Sequence, residues 1–134
     1  MDIEMLYRLG EMNKVIEHKM TELDELRAIA GGSAIQYKRD TIQTSGDQDR
    51  LEAIVVRIVD LENEVDGLVD RYVSYKSNLM RQINRLKHER SRDVLYHRYI
   101  LFQRYTEISH DLDLNERWIK RVHQRALKEF EKLK

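Results

Sequence analysis

The chain has 134 residues, 41% of them apolar and 36% charged, with 24 basic and 24 acidic residues, five glycines, no proline and no cysteine. That length fits one ordinary domain or two small ones, and the lack of cysteine excludes thiol catalysis, disulfides, iron–sulfur clusters and the common structural zinc sites. Strands joined by tight turns would lack their usual breakers, so the expected class is all-α, built from long solvated helices.

From the N-terminus, Met5, Leu9, Met12, Ile16, Leu23, Leu26 and Ala30 recur at spacings of three, four or seven, interrupted by Lys19. This heptad stripe predicts a first helix over residues 2–30. Gly31-Gly32-Ser33 is expected to end it, because paired glycines weaken a helix and supply the positive φ that a C-terminal cap often uses. Residues 31–46 read as a linker, with one short helical turn around residues 34–39 and turn formers at Thr44-Ser45-Gly46-Asp47.

A second seam follows: Leu51, Ile54, Ile58, Leu61, Val65, Leu68, Tyr72, Tyr75, Leu79, Gln82 and Leu86 alternate by three and four, predicting a helix from residue 47 to about residue 89. At the usual rise this helix spans about 64 Å against about 44 Å for the first. The surplus end, carrying Tyr72, Tyr75 and Leu79, then needs cover from a second copy or from the C-terminal segment. A coiled-coil-like helical hairpin over residues 1–89 that oligomerises, most simply as a homodimer through the seams, is the expectation. A monomeric hairpin folded onto its own C-terminal segment is the alternative.

In residues 92–101 the inward positions of an amphipathic helix are Val94, Leu95, Tyr99 and Ile100, followed by a connection near residues 102–104. Residues 105–112 make barely two turns, with Ile108 and Leu112 on one face. Asp113-Leu114-Asn115 reads as a tight turn: Asp tolerates left-handed geometry, Leu114 plugs the angle and Asn115 is a favoured N-cap. In the final helix, residues 116–133, Ile119, Val122, Ala126 and Phe130 share one face, and Arg117, Lys120, Arg121, Gln124, Arg125 and Lys128 fall mainly elsewhere. Short helix, tight turn and longer basic helix are what a helix-turn-helix requires, its second helix entering the major groove and Ser109 being small enough for close approach. Residues 90–134 are therefore the expected DNA-binding domain. Charge agrees: residues 1–70 hold 8 basic and 16 acidic residues, residues 71–134 hold 16 and 8, and a basic half attracts polyanions. The plainer reading of those cations is a solvated helix surface.

The run from residue 94 to 127, with Arg98-Tyr99-Ile100, Thr106-Glu107-Ile108-Ser109, Arg117-Trp118-Ile119 and Arg125-Ala126-Leu127, resembles region 4 of bacterial sigma factors. It is still more similar to the phage-encoded late transcription regulators of the RinA/ArpU type, which pair a helical N-terminal part with such a segment. Ser109, Asp113 and Asn115 stand where alanine, glycine and serine are common in that pattern, and each keeps the size or capping role. The resemblance implies a sequence-specific DNA-binding transcriptional regulator of phage origin, acting in the cytoplasm of a bacterial host. Carried onto this chain, it implies groove contacts by Asn115, Glu116, Arg117, Lys120, Arg121 and Gln124, where Arg and Lys read guanine or neutralise phosphate and Asn and Gln read adenine. Arg104 and Thr106 are placed for phosphate contact at a helix start, and Arg125 and Lys128 for backbone phosphate or solvent.

Other signals weigh less. Trp118, beside Arg117, has two readings, stacking on a sugar or base and partial packing against the preceding helix with its indole N–H at the edge, of which packing is the expectation. The five histidines form no metal motif, although His97 and His123 are candidates to meet in the fold. Ser91 with Asp93, or Ser109 with His110 and Asp111, point in different directions along a helix, and Glu62, Asp66 and Asp70 read as a solvated face. No enzyme activity, metal or cofactor is expected. Arg81, Arg85, Lys87, Arg90 and Arg92 either extend a DNA footprint or complement a helix C-terminus. No run is long and apolar enough for a membrane span, and the first residues lack a signal-peptide pattern. Two alternatives to the regulator stay open: an adaptor that binds RNA polymerase, and a small terminase subunit for phage DNA packaging.

Overall fold

The computed structural model describes the backbone of residues 1–39 and 45–134, all helix and connecting turn, without a strand among the described residues. α1 runs Glu4–Arg39, α2 Ser45–Ile83 and α3 Glu89–Leu95, which continues into a π-helical turn at Tyr96–Ile100; α4 is Tyr105–Leu112 and α5 Glu116–Glu131. Two compact units divide the chain, one of Met1–Asn13 with Arg71–Lys134 and one of Lys14–Asp70. The boundaries between these units fall inside α1 and α2. Among the described residues no helix is long and apolar enough to cross a membrane.

Three features of the helices differ from expectation. α1 passes through Gly31-Gly32 to Arg39, and no described glycine has a positive φ. Each glycine costs about 1 kcal/mol relative to alanine, and a helix already formed to Ala30 extends by one hydrogen bond per residue with no proline to stop it. The turn expected at residues 34–39 is therefore the end of α1; the linker residues 40–44 lie outside the described residues. α2 starts at Ser45 and ends at Ile83, short of residue 89. Its last turn tightens, with Arg85 N–H bonding Gln82 O at 3.1 Å and Leu86 N–H bonding Ile83 O at 3.1 Å. Arg92 Nη1 then donates to Leu86 O at 2.7 Å and Lys87 O at 3.2 Å, supplying carbonyls that would otherwise lack a donor. Finally, residues 96–100 leave the regular α-helical ladder: Leu101 N–H reaches back five residues to Tyr96 O at 3.1 Å. Phe102 follows with φ of 57°, a left-handed conformation that costs a bulky residue about 1 kcal/mol.

In the unit Lys14–Asp70, both stripes point inward: Leu23, Leu61 and Val65 are buried, and Ile16, Leu26, Ile54, Ile58 and Leu68 are half-buried. Lys19, the interruption of the first stripe, pairs with Glu64 at 3.2 Å, so its charge is matched where an apolar residue was due. Arg27–Glu62 at 3.0 Å and Arg57–Glu22 at 2.9 Å are further ties between the helices. Val15, Met20, Ile29, Val55, Val56, Val59 and Val69 remain exposed.

The unit of residues 1–13 and 71–134 holds two cores. The larger joins Leu6 and Leu9 of α1, Leu79 and Ile83 of α2, Leu86, Leu95, Tyr99 and Ile100 to Ala126 and Phe130 of α5, with Tyr72 and Tyr75 packed against it. The Tyr75 hydroxyl donates to Met5 O at 2.7 Å. Tyr72, Tyr75 and Leu79 are thus covered by the chain's own N-terminal turns and C-terminal helix, and the length of the second seam does not call for a second copy. The smaller core is Val94, Ile108, Ile119 and Val122, with Tyr105, Leu112 and Leu114 against it; it clamps α4 onto α5. Each fully buried Leu, Ile or Phe contributes about 1.5–3 kcal/mol.

Candidate nucleic-acid interface

The corner between α4 and α5 is set locally. Arg104 precedes α4 in extended conformation; its backbone N–H and its Nε both donate to Glu107 Oε1, at 3.2 and 3.1 Å, so the Glu107 side chain reaches back and satisfies the N–H at the helix start. These two hydrogen bonds, backbone first, hold the Glu107 carboxyl below its ordinary value. α4 ends with Asp113 left-handed, φ 52° and ψ 49°. Asp113 N–H bonds His110 O at 3.4 Å and Leu114 N–H bonds Ser109 O at 3.1 Å, the paired closure of a Schellman motif with Asp in the usual glycine place. The Ser109 hydroxyl donates to Leu114 O across the corner, which a larger side chain would not allow. Asn115 then caps α5, its Oδ1 accepting from Arg117 N–H at 2.8 Å.

Ile119, Val122, Ala126 and Phe130 are buried as expected, which turns the opposite side of α5 outward. Nine of the ten candidate residues are exposed: Arg104, Thr106, Asn115, Arg117, Lys120, Arg121, Gln124, Arg125 and Lys128, with Glu116 half-exposed. Their engagements separate them. Arg104 is held by Glu107, Lys120 Nζ lies 3.5 Å from Glu116, Arg125 Nε lies 3.5 Å from Glu129 and Asn115 serves as cap. The side chains of Arg117, Arg121, Gln124 and Lys128 make no hydrogen bond or ion pair with the described residues. Spaced by four, three and four, they form one straight row on the exposed side of α5. Three cations along a single row, on a helix whose first turn presents unbonded N–H groups, can hold a polyanion and hydrogen-bond to it.

The neighbouring cations divide likewise. Arg92 caps the end of α2, and Arg85 bonds Gln82 Oε1 at 2.6 Å and Lys134 O at 2.8 Å, whereas Arg81, Lys87 and Arg90 are exposed. Arg98 stacks 4.4 Å from the Tyr105 ring centroid and donates to Gln103 O at 3.0 Å. Lys120 Nζ lies 5.7 Å from the same centroid, so Tyr105 adds a cation–π contact to one member of the basic face.

Beneath this face is a polar array that pattern reading missed. His123 is buried on α5, with Tyr99 Oη 2.6 Å from its Nε2 and Tyr105 Oη 3.1 Å from its Nδ1. Burial, with Arg98 adding to it, lowers the His123 pKa below its ordinary value, and burial raises that of Tyr99. The signal was the place of His123 between Ile119 and Ala126 on the inward face; its partners come from other elements and have no sequence spacing to reveal them. His123 does not pair with His97, whose Nδ1 lies 2.7 Å from Gln103 Oε1. Trp118 is 44% exposed, partly covered without joining either core. Among the described residues no group of His, Cys, Asp and Glu is arranged to hold a metal ion.

No protein-family model, curated protein or solved structure matches this chain.

Proposed function

We propose that the protein is a sequence-specific DNA-binding transcriptional regulator, with α4, the turn and α5 acting as a sigma region 4-like helix-turn-helix and α5 lying in the major groove. One observation carries this reading: the row Arg117, Arg121, Gln124 and Lys128 is exposed and unengaged, while the opposite face of α5 is sealed into the core. A major groove admits one helix, and Arg to guanine with Gln to adenine are favoured edge contacts. Arg104, Thr106, Lys120 and Arg125 flank the row at positions suited to phosphates, as do Lys87 and Arg90. The resemblance to RinA/ArpU-type regulators supports a phage origin. A homodimer reading two half-sites is part of the proposal, with the exposed valines of α2 as its contact surface.

The test is selection of bound duplexes from a random pool, followed by titration at several salt concentrations. Arg117→Ala and Arg121→Ala are each expected to weaken binding by about 1–3 kcal/mol and to lower the salt slope by about one, with unchanged helix content. Unaltered affinity at fixed salt overturns the groove assignment. The exposed valines among carboxylates also support the polymerase-adaptor reading. Co-purification with polymerase without salt-dependent DNA binding would favour the adaptor, and a ring of many copies in light scattering would favour the terminase subunit.

A further inference from the structure

We infer that Trp118 is a nonpolar DNA contact, its indole lying against the carbon surface of the duplex beside the row of Arg117, Arg121, Gln124 and Lys128. The inference rests on the reading of α5 as the helix that enters the groove. Trp118 is the large apolar side chain that α5 leaves exposed, at 44%, while Ile119, Val122, Ala126 and Phe130 are buried. A lone exposed hydrophobic residue is ordinary on a protein surface; its neighbours make this one specific. It precedes Arg121 by three and Arg125 by seven residues, so it shares a flank of the helix with these two guanidiniums. It sits in the first turn, which Asn115 fixes by accepting from Arg117 N–H at 2.8 Å, and that is the end of a recognition helix that meets base edges. A protein surface covering the indole would have to desolvate Arg121 and Arg125 at once. A duplex puts phosphates opposite the cations and thymine methyls or deoxyribose carbons opposite the ring.

The chain contains a single tryptophan, so its emission reports this position alone. With the full chain and a duplex recovered from a random pool, binding is expected to quench or shift that emission. Trp118→Ala is expected to weaken binding about tenfold without changing the salt slope, because no charge is removed, whereas Arg117→Ala lowers the slope by about one. Trp118→Phe restores most of the affinity. Thermal midpoints stay close to the parent, since the ring belongs to neither core. Replacing thymine by uracil separates the two carbon sources: a loss seen with the parent and absent in Trp118→Ala assigns the methyl group, and no loss assigns the sugar. Unchanged emission at saturation with Trp118→Ala within about twofold of the parent, while Arg117→Ala still weakens binding, overturns the inference and leaves the reading of α5 standing. Failure of every duplex to bind removes both.

Discussion

His123 shows what one buried side chain can impose on a surface helix. Each ring nitrogen meets a tyrosine hydroxyl, so the imidazole ties α5 both to the π-helical turn and to α4. Its neutral form is favoured because burial, and secondarily Arg98, disfavours the cation. The unfolded chain takes up a proton near the ordinary histidine value of about 6.5, and the folded chain does so only at lower pH. Stability from this group is therefore complete above about pH 6.5 and is lost as pH falls toward the depressed folded value. Urea midpoints measured across that window should decline for the parent. His123→Phe, which cannot take up a proton, should lose this component of the slope while costing about 1–3 kcal/mol at higher pH, because two tyrosine hydroxyls lose their partner.

Elements show the same interplay of local and distant causes. α1 crosses Gly31-Gly32 in helical conformation, and nothing lies within 4 Å of a Cβ added at either glycine. Gly31→Ala and Gly32→Ala should each stabilise the protein by about 0.5–1 kcal/mol in urea unfolding; destabilisation would mean that a left-handed cap forms there after all. Gly10→Ala should also be tolerated, its methyl meeting the Phe102 ring at 3.6 Å, an ordinary contact. The bounds of α4 and the start of α5 were legible because Asp113, Leu114 and Asn115 encode their own geometry over a few residues. The end of α2 was not, since Leu79, Gln82 and Leu86 stay in phase across the break and the donor that permits it, Arg92, is contributed from α3. The π-helical turn was hidden for a similar reason: Tyr99 and Ile100 were correctly read as inward, but the backbone adjustment beneath them comes from packing.

At the scale of the whole molecule, periodicity identified faces without identifying their partners. The stripe of α1, interrupted at Lys19, reads as one half of a hairpin seam, and Leu9 of that stripe and its neighbour Leu6 are in one core with Ala126 and Phe130. Leu9→Ala should therefore cost about 2–5 kcal/mol and lower the melting temperature of the C-terminal helices with that of α1. Its affinity for DNA, measured well below the melt, should stay near the parent value. A fragment of residues 90–134, by the same reasoning, should show reduced helicity by circular dichroism, because Leu6, Leu9, Leu79, Ile83 and Leu86 are missing from its core. A melt of Leu9→Ala that leaves the C-terminal helices intact would refute the shared core.

That shared core also orders events during synthesis. Leu6 and Leu9 leave the ribosome about 120 residues ahead of Phe130, one of the side chains in their core. Until α5 has emerged, α1 carries two leucines without their final neighbours, so this unit closes only once α5 is made, and a chaperone that shields the nascent α1 would raise the share of chains that reach the native form.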